Sequence, residues 1–122
     1  MEERLLDRQV AEAYAGWFRA LSDPTRVQVL ALLARQPAPL SVGELTARLP
    51  VGQSTVSHHL AVLVAVGFVH GRRQGTSSLY TVNPTCVECF PTAADVVMGR
   101  RPPDPIEASC YGQKLEMEEM AR

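Results

Sequence analysis

The stretch Val51-Gly-Gln-Ser-Thr-Val-Ser-His-His-Leu-Ala-Val-Leu-Val-Ala-Val-Gly67 decides the fold. Its first half carries short hydroxyl and amide side chains and two adjacent imidazoles; its second half is almost wholly apolar and ends on a glycine. A helix here places Val56, Leu60, Leu63 and Val64 at the three- and four-residue spacing of a buried stripe. Gln53, Ser54, Thr55, Ser57 and His58 are then left around its exposed N-terminal end. Small polar side chains at the front of an anchored helix are what base-edge readout in a major groove requires. His58 and His59 point about 100° apart on such a helix, so one is expected to pack inward and one to face out.

Working upstream, Ser41-Val-Gly-Glu44 is a capping box that opens a short helix through Leu49, closed by Pro50. Before it, Ser22-Asp-Pro-Thr25 combines a capping side chain with proline at the first helical position. That helix runs from Arg26 to Ala34 and is stopped by Pro37 and Pro39. Two short helices, a glycine turn at Gly52 and a polar-fronted helix make a helix-turn-helix. Residues 4–21 set Leu6, Val10, Tyr14, Trp17, Phe18 and Leu21 along one helical side. Such a wide apolar stripe in a small domain serves either as core or as a dimer surface, and its pattern does not choose between them.

Downstream, Phe68–Arg73 and Ser78–Asn83 read as two β-strands joined at Gln74-Gly-Thr-Ser77. Arg72 and Arg73 flank the tip, as in a wing that lays arginines along phosphates or into a minor groove. Gln74 and Thr76 at the tip join them as candidate contacts. Cys86 to Met98 is a further helix despite Pro91 in its first turns, and residues 99–105 form a basic, proline-rich linker. Residues 106–120 suit a last, acidic helix. The expected class is mainly α with a β-hairpin wing (α+β). Residues 1–98 form the winged helix-turn-helix, and 99–122 form the linker and a C-terminal segment carrying Cys110.

With 122 residues, 46% hydrophobic and 20% charged, the chain suits one globular domain. It has no run of eighteen apolar residues and its acidic start lacks the form of a signal peptide, so a cytoplasmic protein without a membrane partner is expected. The net charge of −1 is unevenly spread. Residues 22–83 carry five arginines against Asp23 and Glu44, a balance of +3, while 1–21 sum to −1 and 84–122 to −3. The positive middle coincides with the candidate reading helix.

Three blocks resemble the ArsR/SmtB family of winged-helix metalloregulatory repressors: the run Ala20-Leu-Ser-Asp-Pro-Thr-Arg-Val-Gln-Val-Leu-Ala-Leu-Leu33, the run from Ser54 to Leu63 followed by Gly67-Phe-Val69, and the wing ending Leu79-Tyr-Thr-Val-Asn-Pro84. The resemblance spans about residues 15–84. It implies a homodimer, joined through N- and C-terminal helices, whose recognition helices enter successive major grooves of double-stranded operator DNA. On that reading the Trp17 stripe belongs to the dimer interface. Position by position, it assigns Gln53, Ser54, Thr55, Ser57, His58 and His59 to DNA. Gly52 departs from the pattern by replacing a serine cap, a loss of only a few tenths of a kcal/mol.

Members of that family carry metal sites either as a cysteine box in the helix before the recognition helix or as a histidine- and carboxylate-rich site on the C-terminal helix. Here Leu40–Leu49 holds no cysteine and no histidine follows His70. Cys86, Cys89 and Cys110 remain. Cysteines three apart share a helix face, and a helix N-terminus favours thiolate at Cys86. Three sulfurs select a thiophilic inducer: arsenite or antimonite, or mercury(II), with cadmium or lead less suited and zinc less again. The expected function is an operator-bound repressor released by that ion, not an enzyme. The alternative is a thiol-redox-sensing repressor of the same fold using Cys86 and Cys89. A Cys-x-x-Cys redox enzyme is disfavoured because no βαβ pattern surrounds the pair.

Overall fold

The structure, a computed structural model, describes residues 5–100, the side chains of 87–89 excepted. The side chain of Cys89, the whole of Cys110 and the expected helix at 106–120 therefore lie outside the described residues. Five helices and a small sheet follow in the order α1 (Arg8–Ala20), α2 (Pro24–Ala34), β1 (Leu40–Ser41), α3 (Val42–Thr46), α4 (Gln53–Ala65), β2 (Val69–Gln74), β3 (Ser77–Val82) and α5 (Pro84–Val97).

Local chemistry sets most boundaries. Asp7 caps α1 by accepting from the amides of Gln9 and Val10. Asp23 caps α2 at 3.1 Å from the Arg26 amide, with Pro24 just inside. The Ser41–Glu44 capping box closes in both directions, at 3.1 and 3.0 Å. Its helix is shorter than expected, ending at Thr46 with Ala47 as its C-cap. The α4 helix ends in a Schellman turn: Gly67 adopts φ +87° and its amide reaches the Val64 carbonyl, while the Phe68 amide reaches that of Leu63. Asn83 caps α5, and Pro91 is accommodated inside that helix.

The sheet has three antiparallel strands in the order β1-β3-β2, one more than the sequence predicts. Leu40 pairs with Tyr80 and Ser41 with Leu79, so the residues that open α3 also cover the open edge of the wing. In the hairpin, Gln74 pairs with Ser77, leaving Gly75-Thr76 as a two-residue loop. Gly75 at φ +63° supplies the left-handed first position that a type II′ turn needs.

The core joins Val29 and Leu33 of α2, Leu45 of α3, Val56, Leu60 and Leu63 of α4, and Phe68 and Val69 at the wing root. Val64 is only partly buried. Trp17 corrects an expectation. It is 2% exposed within the single chain and packs beside Tyr14, Phe68 and Phe90, so it is a core residue and not an interface one. Phe18 of the same stripe is exposed, as are Val27 of α2, Val97 of α5 and Met98 just after it. No helix among the described residues is long and apolar enough to cross a membrane.

Candidate nucleic-acid interface

The candidate recognition helix is α4. Its buried face is Val56, His59, Leu60 and Leu63, and the remainder of its first two turns is exposed: Gln53, Ser54, Thr55, Ser57 and His58. Gly52 caps it without a side-chain hydrogen bond. The four unpaired amides at the start of the helix give this front a partially positive end.

Beside this front stands the wing. Arg72, Arg73, Gln74 and Thr76 are all exposed, and neither arginine is ion-paired among the described residues. A crevice of about 430 Å³ separates helix from hairpin, with Ser57 and Ala61 on one wall and Arg72, Arg73 and Tyr80 on the other. Helix front and wing arginines thus share one face of the molecule. Gly71 keeps that wall thin: a Cβ there would meet the Tyr80 ring at 3.0 Å.

The two histidines divide as adjacent helical positions must. His58 is exposed, while His59 is 6% exposed and enters the core. One ring turns inward as expected, and burial takes His59 out of the DNA-contacting set that the family resemblance implied. Its Nδ1 accepts from the Arg26 Nε at 3.3 Å, and its Nε2 lies 3.8 Å from Asp23 Oδ1. Arg26 also donates to the Ala20 carbonyl at 2.9 Å. Four residues thereby tie the end of α1 and the start of α2 to the middle of the recognition helix. The amide of Arg26 is the main reason the Asp23 carboxyl lies below its ordinary value, with the Thr25 amide, His59 and the Arg26 charge adding to it. The cluster is not legible in the sequence because His59 lies 33 residues from Arg26.

Cys86 also differs from its expected state. It sits in the first turn of α5 but is buried, and its thiol donates to the Gly67 carbonyl at 3.0 Å. Burial pushes the thiol up to about 11, opposite to the thiolate expected at a helix start. A cavity of about 140 Å³ lies against it, lined by Leu30, Ala34, Phe68, Val82 and Phe90. Among the described residues no three His, Cys, Asp or Glu side chains gather into a metal site.

Known proteins share this arrangement. The family model described as bacterial regulatory protein, arsR family, matches residues 23–70, from the α2 cap into the wing. Over 82 residues the chain is 38% identical to the HTH-type transcriptional regulator NmtR of Mycobacterium tuberculosis, covering 67% of each protein. It is 37% identical over 84 residues to a Streptomyces lividans protein named "Probable mercury resistance operon repressor", covering 69% of this chain and 61% of the relative. An ArsR-like transcriptional regulator from Rhodococcus sp. RHA1 superposes with a TM-score of 0.61 at 27% identity, covering 92% of this chain and 95% of that one. A helix-turn-helix with a polar-fronted α4, a basic wing beside it and these relatives lead to one conclusion: the chain belongs to the ArsR family and is a winged-helix transcriptional regulator, not an enzyme.

Proposed function

We propose that the chain is a homodimeric repressor that binds operator DNA in its ion-free form and is released by a thiophilic ion. The observation that carries the DNA half is the shared face of α4 and the wing. Gln53 suits bidentate pairing with adenine, the hydroxyls of Ser54, Thr55 and Ser57 suit bases or phosphates, and His58 stands among them. Arg72 and Arg73, with Gln74 and Thr76, would follow the backbone. The exposed Phe18 of α1, Val97 of α5 and Met98 at its C-cap offer the apolar surface for a second copy.

For the inducer, Cys86, Cys89 and Cys110 are the proposed ligands. Three sulfurs suit arsenite or antimonite, whose lone pair occupies the fourth position, and mercury(II) equally accepts two or three. The relative named for mercury resistance supports this class. A buried Cys86 must surrender its proton to bind, so capture at its sulfur costs the hydrogen bond to the Gly67 carbonyl. Reciprocity then requires operator DNA to weaken inducer binding by the same factor.

The test is a fluorescence-anisotropy titration of promoter-bound protein with arsenite, mercury(II), cadmium and zinc. Cys→Ser changes at positions 86, 89 and 110 should each keep operator binding and abolish release. Retained release in all three single variants refutes the ligand assignment, and release that is reversed by dithiothreitol without any ion identifies redox sensing instead.

A further inference from the structure

The Gly67 carbonyl at the end of the recognition helix is the most heavily held acceptor at the junction of α4 and α5. It receives Asn83 Nδ2 at 2.9 Å and the Cys86 thiol at 3.0 Å. Asn83 is 2% exposed, and its own amide donates to the Phe68 carbonyl at 2.9 Å. Its Oδ1 meanwhile accepts from the Thr85 amide and caps α5. The Schellman turn that ends α4 and the first turn of α5 are therefore one hydrogen-bonded unit.

We propose that Asn83 and Cys86 are positioning residues for DNA reading: their two donors clamp the C-terminal turn of the recognition helix to α5, and chemistry at the Cys86 sulfur opens the clamp. The first half stands on the geometry alone. The second rests on the reading of Cys86 as an inducer ligand. When arsenite is captured, each S–As bond replaces an As–OH bond, and the thiol proton leaves with the hydroxide as water. The ligated sulfur has no hydrogen left to donate. It then presents lone pairs to the Gly67 oxygen, and an attractive contact becomes a repulsive one. The apolar cavity beside Cys86 gives the side chain room to turn away. Residues 65–68 connect helix to wing without slack, so a displaced Gly67 shifts the two DNA-facing elements relative to each other.

The experiment uses the full chain and a duplex covering its own promoter, in reducing buffer with chelator. Cys86→Ser keeps a hydroxyl donor and is expected to bind within about twofold of the parent protein. Cys86→Ala removes the donor and is expected to weaken specific binding three- to tenfold, while binding to a random duplex stays unchanged. Asn83→Asp keeps the α5 cap but turns the Nδ2 donor into an acceptor, and a loss of at least tenfold is expected. Circular dichroism confirms that each variant is folded. For a variant that is not, hydrogen exchange in the unaltered protein substitutes: arsenite should speed exchange at the Gly67 and Phe68 amides, and unchanged exchange overturns the clamp. Parent-like affinity in folded Cys86→Ala and Asn83→Asp also overturns it. The two readings fail separately. Arsenite release of Cys86→Ser as readily as of the parent, alongside a weakened Cys86→Ala, keeps the clamp and removes the ligand role. The opposite pair of results keeps the ligand role and removes the clamp.

Discussion

Replacing His58 and His59 one at a time by alanine should produce opposite signatures from neighbouring positions. His59 is 6% exposed, and its ring is the acceptor for the Arg26 Nε. Truncation opens space inside the helix-turn-helix, leaves a guanidinium N–H without its partner and removes the neighbour of Asp23. A large-to-small change in a core and an orphaned, half-buried donor together cost roughly 2–3 kcal/mol. At roughly 4–8 °C per kcal/mol for a domain of this size, Tm should fall by roughly 10–20 °C. His59→Asn places an amide oxygen where the ring Nδ1 stood, keeps an acceptor for Arg26 and should recover part of the loss. His58 is exposed, so its truncation should alter stability by less than about 0.5 kcal/mol. The same change should weaken operator binding about tenfold, the scale of one base contact. Urea titration followed by circular dichroism measures the first quantity and anisotropy the second. A His59→Ala protein as stable as the parent, or a His58→Ala protein that is the less stable of the two, would refute the assignment of inward and outward faces.

Other expectations follow from the same architecture. Arg72→Ala and Arg73→Ala should each flatten the dependence of log K on log salt by about 0.9 for every phosphate left unneutralised, measured across a potassium chloride series. Gly67→Ala forces an alanine to φ +87° and should destabilise the protein by about 1–2 kcal/mol in chemical denaturation. Gly52→Ser has open space for its side chain and adds the missing α4 cap, so it should instead gain a few tenths of a kcal/mol. The Cys86 thiol lies at about 11 against an ordinary 9.0, so its contribution is complete below about pH 9 and is lost as pH rises through 11. At about 1.4 kcal/mol per pH unit the loss is roughly 2–3 kcal/mol, and Cys86→Ser should remove that alkaline limb from a pH series of urea midpoints.

Caps, turn glycines and apolar spacing are short-range signals, and they were sufficient for the helix-turn-helix. Asp23-Pro24, the Ser41–Glu44 box and Gly67 mark element ends by satisfying backbone groups within a few residues. That is why α4 spans Gln53–Ala65 as its pattern requires. The two-residue β1 was not legible because a strand that short has no period; only its partner, Tyr80 and Leu79, makes it a strand.

The helix-turn-helix, the polar front of α4 and the basic hairpin behind it were thus legible in the sequence. Tertiary structure alone decided three matters. It turned Trp17 into the core, since Phe68 and Phe90 arrive from distant segments to cover it. It chose His59 over His58 as the inward ring, because Arg26 waits on that side of α4. It also made Cys86 a protonated donor to Gly67, because desolvation by the surrounding core favours the neutral thiol. Each outcome depends on what packs against a residue, and that partner lies far away along the chain.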